Sequence, residues 1–321
     1  MRSYRRFALG ATVLALTIVT VSCGGKSGGS ETTGAGATVA SQLILGGPPE
    51  CPQRPFCIPG LKQTYGITFK GFKALDVGGP QTVAALKSGA VQVGLLFSTD
   101  PVISVNGWVA LEDDKHLQQA DIITPVVRTK VLDDTITTLL NGISAKLTTD
   151  NIVPLIKSVS VDKQDVAPVA KSFLEQQGLL GSPSTAGKGK TITVGVSSAF
   201  AENQIVAEMY GQVLENAGYR VNRKFDLGSR AVSDKALESG DIDVKPEYLA
   251  SELSSSPLFS AADKASGDPT AEVAALKPLL AEHGITLLDT SQANDTNVFV
   301  VTKATADKYG LSKVSDLAKK I

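Results

Sequence analysis

Short apolar runs along the chain alternate with stretches whose apolar residues recur every three or four positions. Leu43-Ile44-Leu45 reads as a strand, stopped by Gly46-Gly47-Pro48-Pro49. Gly60 to Tyr65 predicts a short helix and Phe69 to Leu75 a strand. Pro80 to Ser88 reads as a helix with Gly89 at its C-terminal cap, followed by the strand Val91 to Phe97. From Val131 to Leu180 the pattern turns helical, with Leu132, Ile136, Leu139, Leu140 and Ile143 at helical steps and a second such stretch over Asp165 to Gln177. The same grammar then returns. Ile192 to Val196 is a strand, Glu202 to Ala217 a long helix, Val232 to Glu238 a helix and Ile242 to Val244 a strand. Beyond the break at Gly267-Asp268-Pro269, a helix runs through Leu276 to Leu280, Val298 to Val301 is a strand, and Val314 to Lys320 closes as a helix. Such alternation predicts a parallel or mixed sheet covered by helices.

One stretch echoes another. Ala85-Leu86-Lys87-Ser88-Gly89-Ala90-Val91-Gln92-Val93 is similar to Ala236-Leu237-Glu238-Ser239-Gly240-Asp241-Ile242-Asp243-Val244. Each is a helix end, a Ser-Gly cap and a strand, and an aromatic follows each strand, Phe97 and Tyr248. The echo suggests two similar α/β lobes facing a shared cleft, where strand ends of such sheets bind ligands.

Composition narrows the class. The 321 residues carry a net charge of −1, without the basic excess of a nucleic-acid binder, and suffice for one large domain or two lobes. Arg2, Arg5 and Arg6 precede an apolar stretch, Phe7 to Val21, too short for a stable span. Val21-Ser22-Cys23-Gly24 then suggests a bacterial lipoprotein cleavage site with lipid on Cys23; simple secretion with cleavage nearby is the alternative. Gly24 to Gly36 has the composition of a flexible tether. In an exported protein Cys51 and Cys57, six positions apart, are expected to pair. No metal site or cofactor is expected, because His116 and His283 lack ligand spacing.

The chain resembles the substrate-binding proteins of ABC importers for glycine betaine, choline and related osmoprotectants. The resemblance rests on the segment from Gly46 to Leu61, Phe97-Ser98-Thr99-Asp100, Gly228-Ser229-Arg230 and Pro246-Glu247-Tyr248. Relative to the usual family member the halves are exchanged. The stretch resembling the usual first half, Lys190 to Lys320, follows the one resembling the second, Leu43 to Leu180. A circular permutation accounts for this, with Gly181 to Gly189 joining the old termini; a truncated tandem repeat or a gene-boundary error is the alternative. The implied fold is a two-lobed clamshell of the periplasmic-binding-protein type II class, circularly permuted. The implied division is a signal peptide over 1–23, a tether over 24–42, a split lobe from 43–120 plus 302–321, and a continuous lobe over 121–301 containing the linker 181–190.

The resemblance also implies a site. A quaternary ammonium offers no hydrogen-bond donor and is held by aromatic faces, while a carboxylate suits a guanidinium. Arg54 matches the family's arginine, Phe97 and Tyr248 match box tyrosines, and Ser251 falls near a threonine that contacts carboxylate. An exposed loop arginine, ordinary core packing and a half-buried surface tyrosine are the plainer readings of Arg54, Phe97 and Tyr248. Departures thin the box: Asn297 replaces a tyrosine after the retained Asp295, Asp121 falls near the last one, and Ser198 stands where many members carry lysine. Asp121 and Asp295 could complement a cation, so choline, carnitine-like, ectoine-like or more polar ligands stay open.

The implied function is an extracytoplasmic, lipid-anchored binding protein, monomeric, that captures an osmolyte and delivers it to a membrane permease. The alternative is a lipoprotein that senses a different small polar solute and signals to a membrane receptor. An enzyme is not expected: no Gly-x-Ser-x-Gly elbow, phosphate loop or zinc motif occurs.

Overall fold

The structure is a computed structural model describing residues 37–76, 78–197 and 201–321. Cys23 and Ser198 lie outside the described residues. In chain order, the first elements are β1 (Ile44–Gly47), α1 (Ile58–Tyr65), β2 (Gly71–Ala74), α2 (Pro80–Lys87), β3 (Val93–Phe97), α3 (Val102–Val105) and β4 (Val109–Ala110). Then come β5 (Ile123–Arg128), α4 (Asp134–Ser144), α5 (Thr149–Ser160), α6 (Val166–Gln176), β6 (Thr191–Gly195), α7 (Ala201–Asn216) and β7 (Arg220–Lys224). The chain continues with α8 (Arg230–Ser239), β8 (Val244–Tyr248), α9 (Leu249–Ser255), α10 (Pro269–Glu282) and β9 (Ile285–Leu287). It ends with β10 (Asn297–Val301), α11 (Lys303–Tyr309) and a 3-10 turn, Val314–Ala318, where the sequence pattern had suggested an α-helix.

Local chemistry sets many of these boundaries. Pro80 and Pro269 open α2 and α10, where the missing N–H costs nothing. Asp133 caps α4 by accepting from the Ile136 amide, and Thr148 and Asn151 form a capping box on α5. Gly89 and Gly240, the paired glycines of the echo, both have positive φ, 72° and 89°, which turns each helix back into its strand.

Among the described residues the strands form two five-stranded sheets, ordered β2-β1-β3-β10-β4 and β7-β6-β8-β5-β9. The first three strands of each sheet run parallel, and the fourth, β10 or β5, is antiparallel to its neighbours. The two sheets therefore share one topology, and α2–β3 corresponds to α8–β8. The chain crosses between them twice, from β4 to β5 and from β9 to β10. A boundary drawn at Val301 puts β10 with the continuous lobe, yet β10 pairs with β3 and β4 of the other sheet. The change of sheet falls before Asn297.

Separate apolar cores lie under each sheet. Leu45, Val93, Leu95, Phe299, Val301 and Leu317 belong to one, and Ile136, Leu140, Val194, Met209, Tyr210 and Val244 to the other. The 181–190 segment, tether-like in composition, is docked. Ser184 and Gly187 donate amide hydrogen bonds to Asn216 and Ala217, and Lys190 pairs with Asp133 at 2.7 Å. The chain's two described ends meet: Thr38 bridges Lys320, and the Val39 amide donates to the Lys319 carbonyl at 2.9 Å. No helix among the described residues is long and apolar enough to cross a membrane.

Candidate functional site

The two crossings run side by side. Ile122 and Asn294 form an antiparallel bridge, the Asp295 amide donates to the Asp121 carbonyl at 3.0 Å, and the Ile123 amide to that of Ala293 at 2.9 Å. β3 ends opposite one crossing, with Phe97 in register with Asn297. β8 ends opposite the other, with Tyr248 in register with Ile123. The C-terminal ends of both central parallel strands thus converge where the chain changes sheet.

A cavity of about 240 Å³ opens there. Arg54, Phe97, Asp121, Ser251, Asp295 and Asn297 all line it, with Gln119, Ser254, Ser255 and Thr296. Tyr248 instead lines a neighbouring cavity of about 200 Å³ with Ser197, Asn203, Arg230 and Glu247.

Arg54 is presented by the loop that the Cys51–Cys57 disulfide closes, with Cα atoms 5.2 Å apart. Its amide donates to Glu50 and its carbonyl accepts from Cys57. The loop packs on α1 at Gly60, where a Cβ would stand 2.1 Å from the Pro55 carbonyl oxygen, so only glycine fits. Among the described residues the Arg54 guanidinium has no ion-pair partner, which leaves it available to an anion.

The carboxylates are differently placed. Asp121 accepts from the Ser251 amide at 2.8 Å and from its hydroxyl at 2.5 Å. Burial outweighs these bonds and pushes Asp121 up to about 6. Asp295 accepts from the Thr99 hydroxyl at 2.5 Å, and burial with the neighbouring Glu202 charge pushes it up to about 7. Tyr248 is 4% exposed, and its hydroxyl donates to Glu202 at 2.8 Å. It is not the half-buried surface tyrosine of the plainer reading. The cavity is consequently acidic and hydroxyl-rich, with one guanidinium and one aromatic face, Phe97, on its wall.

Several contributors were not singled out by sequence. Glu202 reads as an ordinary acid in a helix's first turn. Thr99 and Arg230 sit inside quoted motifs without a role of their own, and Gln119, Ser254 and Ser255 carry no sequence signal. Arg230 is engaged by Glu247 at 2.8 Å and so is less available to a ligand than Arg54.

The two sheets, their paired crossings and the cavity between them define a two-lobed solute-binding architecture. The sequence matches the family described as the substrate-binding domain of the ABC-type glycine betaine transport system over residues 35–176 and 190–321, and the chain belongs to that family. The family is one of transport substrate-binding domains, not of enzymes. The carnitine transport binding protein OpuCC of Listeria monocytogenes is 35% identical over 141 residues, 43% of this chain and 44% of that protein. The glycine-betaine-binding protein of Pseudomonas aeruginosa is 29% identical over 132 residues, 41% of this chain and 40% of that protein. The chain thus matches less than half the length of these curated relatives. Among solved structures, a phosphate-binding protein of a Streptococcus pneumoniae ABC transporter aligns with TM-score 0.39 and 12% identity, covering 86% of this chain and 94% of that one. Apo YehZ from Escherichia coli aligns with TM-score 0.36 and 13% identity, covering 84% of each chain.

Proposed function

We propose that this chain is the extracytoplasmic binding component of an ABC importer, capturing a quaternary-ammonium or related osmoprotectant between its lobes and handing it to a membrane permease. The observation that carries this reading is the cavity at the two crossings, where Arg54, Phe97, Asp121, Ser251, Asp295 and Asn297 meet from both sides of the fold. A ligand bridging that cavity contacts both sheets at once and stabilises a closed form by its differential affinity. Phe97 offers a face to the methyl groups, Asp121 and Asp295 complement the cation, and Arg54 clamps a carboxylate where one is present. Tyr248 acts from beneath, through Glu202. Lipid on Cys23 would hold the protein at the membrane, and a monomer suffices.

The permuted order belongs to the same reading. The family match breaks at residues 177–189, within and just before the docked linker, and the two curated relatives named above each align over less than half of the chain, in keeping with exchanged halves. The pairing of residues 37–39 with 319–321 supplies the adjacent ends that a permutation needs.

Calorimetric titration of the purified protein with glycine betaine, choline, carnitine and ectoine tests the ligand class. In Arg54→Ala, glycine betaine and carnitine should weaken by about 10- to 100-fold, the worth of one charge-assisted hydrogen bond, while choline is spared. Equal losses for choline and the carboxylates would remove Arg54 from the clamp role.

A further inference from the structure

Asp295, read above as a partner of the cation, lies against a second buried acid, Glu202, that the reading of the cleft leaves without a role. Glu202 opens α7 in one lobe, and Asp295 lies on the crossing into the other. They are 4% and 7% exposed, and their carboxyl groups sit close enough to share a proton. Two ionised carboxylates have no proton to donate and repel each other, so a pair buried side by side favours holding one proton between them. The Tyr248 hydroxyl donates to Glu202 at 2.8 Å and the Thr99 hydroxyl to Asp295 at 2.5 Å, fixing the pair from both lobes.

Among the described residues, charges near the pair come from several elements. Asp100 beyond β3 and Asp121 on the first crossing are acidic, and Glu247 on β8 faces Tyr248, whose hydroxyl reaches Glu202. Arg54 shares the cavity of Asp295. Arg230 and Lys245 are nearby but turned to Glu247, with Lys245 also on Asp234. Among the described residues no lysine or arginine forms an ion pair with Glu202 or Asp295. A shared proton supplies the positive charge that no ion pair among the described residues gives these two acids.

We propose that the cationic group of the ligand replaces this shared proton, so that capture of a quaternary ammonium expels one proton to solvent. The inference rests on the quaternary-ammonium reading of the cleft. The pair carries one negative charge while it shares the proton and two once the ammonium lies beside Asp295. One positive charge enters, one proton leaves, and no other bond is made or broken. The proton is available at physiological pH, since burial raises both acids and holds Asp295 near 7. A cation therefore binds best above that range, and acid favours release.

The test is calorimetric titration of choline into the whole protein in buffers of different ionisation enthalpy. At about pH 6 nearly one proton should be released per choline, and Kd should weaken about tenfold for each pH unit lowered further. Asp295→Asn should abolish the proton release, and the uncharged isostere 3,3-dimethylbutanol should release none. Choline binding with no proton release and a constant Kd from about pH 5.5 to 8 would overturn the exchange and leave the ligand class standing. No heat from choline or glycine betaine would overturn the ligand class, and the exchange with it. Because the asparagine variant can disturb the crossing, carbon-13 NMR of the ligand-free wild type gives an independent reading. The Asp295 carboxyl should titrate near neutrality, and titration below about pH 5 would overturn the proposal.

Discussion

Lys245 is 1% exposed, yet it is charged. It ion-pairs with Asp234 and, at 2.6 Å, with Glu247, while Arg230 reaches Glu247 at 2.8 Å and Glu252 at 3.7 Å. Two cations thus face three carboxylates. Burial alone would raise Glu247, but Lys245 and Arg230 outweigh it and hold that acid at about 2. Glu252 is left over, and burial followed by the Glu247 charge pushes it up to about 8. The network anchors β8 just before Tyr248, and so the residue whose hydroxyl steadies Glu202. Removing the central cation leaves buried acids uncompensated. Lys245→Met should therefore cost about 3–5 kcal/mol of stability, measured by urea unfolding. A loss below about 1 kcal/mol would mean that the acids simply take up protons and the network is dispensable.

Among the elements, the disulfide loop has the clearest division of labour, since it supplies Arg54 without belonging to either sheet. Its closure removes chain entropy from the unfolded state, about 2 kcal/mol for so short a ring. The double variant Cys51→Ser/Cys57→Ser should lose about that much in denaturant unfolding and should bind carboxylate ligands more weakly than choline. Unchanged selectivity would mean that the turn hydrogen bonds from Glu50 to Cys57 hold Arg54 without the bond. The loop was legible in the sequence because its glycines, prolines and cysteines are local signals, and α2–β3 and α8–β8 were legible because they repeat. Other elements were hidden for physical reasons. β5 contains Pro125, which argues against a central strand, but it faces Pro246 of β8 in register, which confines the missing donors to one position. β7, Arg-Val-Asn-Arg-Lys, is a charged edge strand with no apolar alternation to reveal it. The sheet to which β10 belongs depends on pairing with β3, some 200 positions away, which no local pattern encodes. At the site, motif position grouped six residues around one cavity, while Glu202 escaped notice because its partner Asp295 lies about 90 positions further along the chain, beyond any local pattern.

Across the whole molecule, buried acids accumulate around the crossings. Asp121 is raised to about 6, Glu272 and Asp295 to about 7 and Glu252 to about 8, in each case chiefly by burial. Glu272 is wholly buried and takes the Ser266 amide at 2.7 Å, beside the first crossing. In the unfolded chain these groups return to ordinary values near 4. Between that value and their folded values the native state binds more protons than the unfolded state, so this contribution is complete below about pH 4 and is lost as pH rises through about 6 to 8. Glu247 and Asp316, held at about 2, act in the opposite sense, and their contribution is lost as pH falls from about 4 towards 2. The two trends place the maximum Tm of the ligand-free protein near about pH 4–5, with a fall towards pH 8–9 instead of the usual neutral plateau. Thermal melts across that range test the balance. A Tm that stays level or climbs from about pH 5 to 8 would mean that the acids of the crossings ionise in place at little cost. The crossings would then be wet enough to stabilise bare carboxylates, and a bound cation would have correspondingly less to gain from them.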